Sequence, residues 1–113
     1  MADTLISFQD RSAGPAERPV AFTRHELMTI LDLYGRHVAA GEWRDYGLSF
    51  DRHTATFSVF RRASEAPLYR ITKTPALAQK QGAFAVVAQG GLILRRGPDL
   101  ARVLRVLALK PVS

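Results

Sequence analysis

The stretch Tyr46-Gly47-Leu48-Ser49-Phe50-Asp51-Arg52-His53-Thr54-Ala55-Thr56-Phe57-Ser58-Val59-Phe60 reads as two strands and a turn. Tyr46, Leu48 and Phe50 alternate with Gly47 and Ser49. After the turn, Ala55, Phe57 and Val59 alternate with Thr56, Ser58 and Phe60. A period of two puts each set on one side of a pleated strand. Asp51-Arg52-His53 between them is turn chemistry, so the stretch predicts an antiparallel hairpin.

Downstream, Leu68 to Lys73 predicts a third strand after Glu65-Ala66-Pro67. Pro75 then interrupts, and Ala76 to Gln81 has room for one helical turn before Gly82. Ala83 to Ala88 and Leu92 to Arg95 flank Gln89-Gly90-Gly91, and a Gly-Gly pair between apolar runs marks a second hairpin because both turn positions tolerate positive φ. Upstream, Thr23 and Glu26 have the spacing of a capping box, and Phe22 and Leu27 that of a hydrophobic staple. Leu27, Ile30, Leu31, Tyr34 and Val38 recur at helical intervals and Gly41 supplies a left-handed stop, which predicts a helix from Arg24 to Ala40. Gly35 inside it costs roughly 1 kcal/mol relative to alanine, with close packing as the expected reason. At the other end Gly97-Pro98-Asp99 opens a second helix striped by Leu100, Val103, Leu104 and Leu107, with Pro98 at its first position and Pro111 as its stop.

The connections are too short for parallel crossovers. The expected fold is therefore α+β: an antiparallel sheet of about five strands, with the N-terminal and C-terminal helices packed on one face. Residues 22–113 form the domain, and residues 1–21, which mix Gly and Pro with charges, form a tail. Within that tail Leu5-Ile6-Ser7-Phe8 is a brief apolar island, either an anchor folding back on the domain or a docking motif.

At 113 residues the chain has room for one core, not for a cofactor domain beside a substrate domain. The lack of cysteine excludes disulfides, thiolate metal sites and a cysteine nucleophile, and fits a reducing cytoplasm. No apolar run approaches the ~20 residues of a spanning helix. The net charge of +6 is unevenly divided. Through Phe60, six basic residues stand against eight acidic ones, a net of −2; from Arg61 onward ten stand against two, a net of +8. A one-sided positive field of this kind attracts nucleic acid, an anionic lipid surface or an acidic protein, and charge alone does not choose among them.

Signals for catalysis are lacking. His25 and His37 lie about 120° apart around the first helix and cannot form an i,i+4 metal pair, while His53 sits in a turn. No nucleophile elbow, phosphate loop or dinucleotide fingerprint occurs. Neither a cofactor nor a metal site is expected. Arg95-Arg96-Gly97-Pro98-Asp99 is the strongest anion-site candidate, because two arginines lead into a helix start with Arg102 and Arg105 behind them. Asp99 and the missing N–H of Pro98 weigh against it. Phe60-Arg61-Arg62 and Tyr69-Arg70-Ile71-Thr72-Lys73 interleave aromatic and cationic side chains as sheets that hold nucleic acid do. The candidate binding set is thus Arg61, Arg62, Arg70, Lys73, Arg95, Arg96, Arg102 and Arg105. Trp43, the single tryptophan, is a candidate partner contact if exposed and a pin for the helix–strand corner if buried.

Leu33-Tyr34-Gly35-Arg36, the long segment Val38-Ala39-Ala40-Gly41-Glu42-Trp43-Arg44-Asp45-Tyr46, Phe57-Ser58-Val59-Phe60-Arg61-Arg62, Pro67-Leu68-Tyr69-Arg70-Ile71 and Asp99-Leu100-Ala101-Arg102-Val103-Leu104-Arg105-Val106 together resemble a known family. It is the group of short alphaproteobacterial proteins catalogued as domain of unknown function 2794, and the resemblance runs from about Phe22 to Lys110. It implies a single-domain cytoplasmic bacterial protein and brings no catalytic residue or cofactor with it. The expectation is a non-enzymatic basic binding module whose C-terminal half engages nucleic acid or another polyanion. The alternative is a protein-interaction adaptor or homo-oligomer without catalytic activity.

Overall fold

The computed structural model describes residues 18–62 and 65–108. Helix α1 (Arg24–Ala39) is followed by strands β1 (Asp45–Phe50), β2 (Ala55–Phe60) and β3 (Tyr69–Lys73). A 3-10 turn (Pro75–Leu77), strands β4 (Phe84–Ala88) and β5 (Ile93–Gly97), helix α2 (Leu100–Leu104) and a last 3-10 turn (Arg105–Leu107) complete the order. The five strands pair antiparallel with their neighbours in chain order, β1-β2-β3-β4-β5. This is the α+β meander expected from the alternating patterns. The Leu5–Phe8 island and Pro111 lie outside the described residues. No helix of the described residues is long and apolar enough to cross a membrane.

The register sorts side chains into two faces. Phe57 lies opposite Leu48 and Ile71, and Ile71 opposite Val86. Phe57, Val59, Ile71 and Val86 are fully buried, and they join Ile30 of α1 and Leu100, Val103 and Leu104 of α2 in one core. Both helices therefore cover this face. Tyr34 of α1 reaches the β1–β2 half, with its ring 5.9 Å from that of Phe57 and 5.0 Å from that of Tyr46. Burial and the neighbouring Asp45 carboxylate push the Tyr34 phenol above its usual range.

Local chemistry fixes the ends of α1. The Glu26 N–H donates to Thr23 Oγ1 (3.1 Å) and the Thr23 N–H donates to Glu26 Oε1 (2.8 Å), which closes the capping box. Ala40 is the C-cap, and Gly41 follows at φ 78° as the left-handed stop. Two expectations need correction here. Val38 is exposed while His37 takes the last core position of the helix. And a Cβ on Gly35 would meet nothing within 4 Å, so close packing does not explain that glycine, and nothing else in the structure does.

The second half also departs in detail from its expected bounds. β5 starts one residue late and ends two residues later, since pairing continues to Phe84 opposite Gly97, and a bulge between Val86 and Val87 of β4 shifts the register within the ladder. The α-helical part of α2 is five residues long. Asp99 is its N-cap, with Asp99 Oδ1 accepting from the Arg102 N–H (3.3 Å), so Pro98 stands outside the helix and not at its first position.

Candidate anion-binding site

Alternation along the strands decides where each cation goes. Lys73 faces the helices, since it lies opposite Ala55 and Phe84. Its Nζ donates to Glu26 Oε1 (2.8 Å) and to the Ala21 carbonyl (3.0 Å), and the two side chains of the ion pair are 16% and 18% exposed. Lys73 is thereby committed to tying β3 to the start of α1. Burial alone would raise the Glu26 carboxyl, but Lys73 and the N–H and hydroxyl of Thr23 together hold it below its ordinary value.

Arg70 lies opposite Ser58 and Val87, and Arg96 lies opposite Ala85. Both therefore belong to the face that neither helix covers. Arg70 occupies the middle strand of that face, and Arg96 the edge strand two spacings away, about 10 Å. Phe60 belongs to the same face, where its Cε1 would be 3.8 Å from a Cβ on Gly47 of β1. The floor between these larger side chains is small and mixed: Thr56, Ser58 and Thr72 are polar, Ala85 and Val87 apolar.

Arg95 lies opposite Val86 and so belongs to the helix side of the same edge strand. Arg95, Arg96 and Arg102 line one concavity of about 260 Å³ with Gly97, Pro98, Asp99 and Val103. Its carboxylate, Asp99, caps α2. Arg96 Nη1 donates to the Gly82 carbonyl at 3.4 Å. Gly82 itself is set against β5 so closely that a Cβ there would lie 2.2 Å from the Gly97 carbonyl carbon, and its φ is +95°. A larger residue would push β5 and its arginines outward.

The remaining candidates lie elsewhere. Arg105 lines a separate groove between the helices with Asp32 and Arg36, whose own side chains form an exposed i,i+4 ion pair at 2.9 Å. Arg61 and Arg62 are exposed in the β2–β3 connection. Trp43 is 3% exposed and packs inward, so it pins the helix–strand corner and has no face to offer a partner. The eight cations thus separate into three around β5 (Arg95, Arg96, Arg102), Arg70 alone on the middle of the uncovered face, a loop pair, and two residues facing α1.

No group of three His, Cys, Asp or Glu side chains among the described residues could hold a metal ion. The Asp51 carboxylate accepts from the backbone N–H groups of His53 and Thr54, both at 2.8 Å. Those bonds hold it below its ordinary value, which makes Asp51 a turn brace. His37 was legible only as a helix residue. Its Nε2 partner, the Leu107 carbonyl, lies seventy positions away, and no local signal reports that contact.

By fold, then, this is a small two-layer α+β domain with a guanidinium cluster around an edge strand. The chain belongs to the family described as "Protein of unknown function (DUF2794)", whose family model matches residues 20–104. Neither the curated proteins nor the solved structures contain a match to it.

Proposed function

We propose that the protein is a cytoplasmic, non-catalytic binding module for a polyanion, single-stranded nucleic acid foremost, held by Arg70, Arg95, Arg96 and Arg102. The observation that supports this reading is that three of these guanidiniums line one concavity at the β5 edge while the fourth stands two strands in, on the uncovered face. Arg102 and Arg95 lie on the helix side, Arg96 shares their concavity from the other side, and Arg70 continues onto the uncovered face. Among the described residues none of the four is in an ion pair with a carboxylate, whereas Arg36 and Lys73 are. Clustered like charges without counter-charge attract a chain of phosphates, which gains by releasing its condensed counterions. Single strands fit better than a duplex, because Phe60 on the same face offers a ring for base stacking and no helix is presented to a groove.

Fluorescence anisotropy with short labelled single-stranded RNA and DNA tests the reading. Binding is expected at low salt, falling steeply as salt rises, by about 0.7 logarithmic units per logarithmic unit of salt for each phosphate neutralised. Absence of binding at low salt would overturn it, as would an R96A/R102A variant with unchanged affinity and salt slope.

A further inference from the structure

The β4–β5 hairpin carries an apolar tip that the core does not use. Leu92, Ile93 and Leu94 are 66%, 50% and 38% exposed, and they are consecutive. No Asp, Glu, Lys or Arg occurs from Gln81 to Leu94, and then Arg95 and Arg96 follow at once. The Ala88 N–H donates to the Leu92 carbonyl (2.7 Å), and Ile93 lies opposite Val87. Successive strand residues point to opposite faces, so Leu92 is on the helix side and Ile93 on the uncovered side. Beside the Gln89-Gly90-Gly91 turn, this arm of the tip therefore shows apolar side chains on both faces.

We propose that this tip inserts into the interface of an anionic lipid bilayer, with arginines at headgroup level. The inference is independent of nucleic-acid binding and rests on three features. First, apolar side chains on both faces of a narrow tip suit a medium that surrounds it, whereas a protein groove covers one face. Second, Leu92 to Leu94 extend over about 7 Å, within the roughly 5–10 Å depth of interfacial insertion and far below the 9–11 residues of a spanning strand. Third, the charge around the tip is complementary to anionic lipid. Arg95 and Arg96 follow on β5, and Arg61 and Arg62 lie in the β2–β3 connection at the same end of the sheet, with Glu65 as the acid of that connection. Glu42 and Asp45 are also at that end, but on the β1 side, four strands away. A second copy of the chain is a poor occupant, because pairing two β5 edges brings their arginines together.

The test is co-sedimentation with vesicles of phosphatidylcholine alone and of phosphatidylcholine with phosphatidylserine. The intact chain should bind the anionic vesicles and leave the neutral ones. L92S/I93S keeps every charge and alters only exposed side chains, with far-UV circular dichroism as the check on folding. It should weaken anionic-vesicle binding by about tenfold or more while leaving RNA anisotropy unchanged. Failure of the intact chain to sediment with anionic vesicles would overturn the proposal. So would full retention by L92S/I93S, which would mean that surface charge acts alone, or capture of an acidic peptide at this edge in place of vesicles.

Discussion

The imidazole of His37 lies flat on the indole of Trp43, with ring centroids 3.8 Å apart and planes 9° from parallel. Its Nδ1 is 2.9 Å from Glu42 Oε1 and its Nε2 is 2.6 Å from the Leu107 carbonyl. Both partners are acceptors, so the doubly protonated ring donates to both and a neutral ring to one. The last turn of α1, the corner before β1 and the C-terminal 3-10 turn meet in this contact.

Trp43→Ala should therefore destabilise the domain by about 3–5 kcal/mol, the usual cost of emptying a buried aromatic site. His37→Ala should cost about 1–3 kcal/mol, because the buried Leu107 carbonyl loses its donor. Urea unfolding followed by circular dichroism measures both. A Trp43→Ala cost below about 1 kcal/mol would show that the corner is not held this way.

Two glycines should respond with opposite signs. Gly35→Ala, in a helix interior with open space at the Cβ position, should stabilise by about 1 kcal/mol, raising Tm by about 4–8 °C in a domain of this size. Gly82→Ala forces a methyl into the Gly97 backbone at a positive φ, and should destabilise by about 2 kcal/mol or more. Thermal unfolding of the two variants side by side decides the matter, and a destabilised Gly35→Ala would reveal a packing role the geometry does not contain.

Acid should weaken the fold through Glu26 and Asp51. Both carboxyls are held below their ordinary values in the folded chain. The stability they contribute is therefore complete above the ordinary carboxyl range and is lost as pH falls through the lower folded values. The urea midpoint should decline below about pH 4.5, and E26Q and D51N should each flatten that decline. An unchanged slope in both variants would mean that neither group carries the dependence.

Position, not charge count, should separate the arginines in nucleic-acid binding. Arg102→Ala should weaken RNA affinity several-fold and lower the salt slope by about 1. Arg105→Ala, three residues on and directed to the groove with Asp32 and Arg36, should leave both unchanged. Equal losses would indicate a diffuse field in place of a site.

Strand count, the antiparallel hairpins, the capping box and the two-helix cover were legible in the sequence, because period, turn chemistry and caps act within a few residues of their cause. The arginines show where that reach ends. Arg95, Arg96, Arg102 and Arg105 are equivalent as letters, and Lys73 is as cationic as Arg70. Alternation alone puts Arg95 and Arg96 on opposite sides of a strand, but which side the helices cover is a matter of packing. That packing tied Lys73 to Glu26, turned Arg105 toward α1 and gathered three guanidiniums at one concavity. It also buried His37 in place of Val38, with the ring flat on Trp43 and its Nε2 on the Leu107 carbonyl. The sequence by itself determined the elements and a basic second half; the tertiary structure decided which charges are free and which are neighbours, because an ion pair or a shared face forms between residues that only folding brings together.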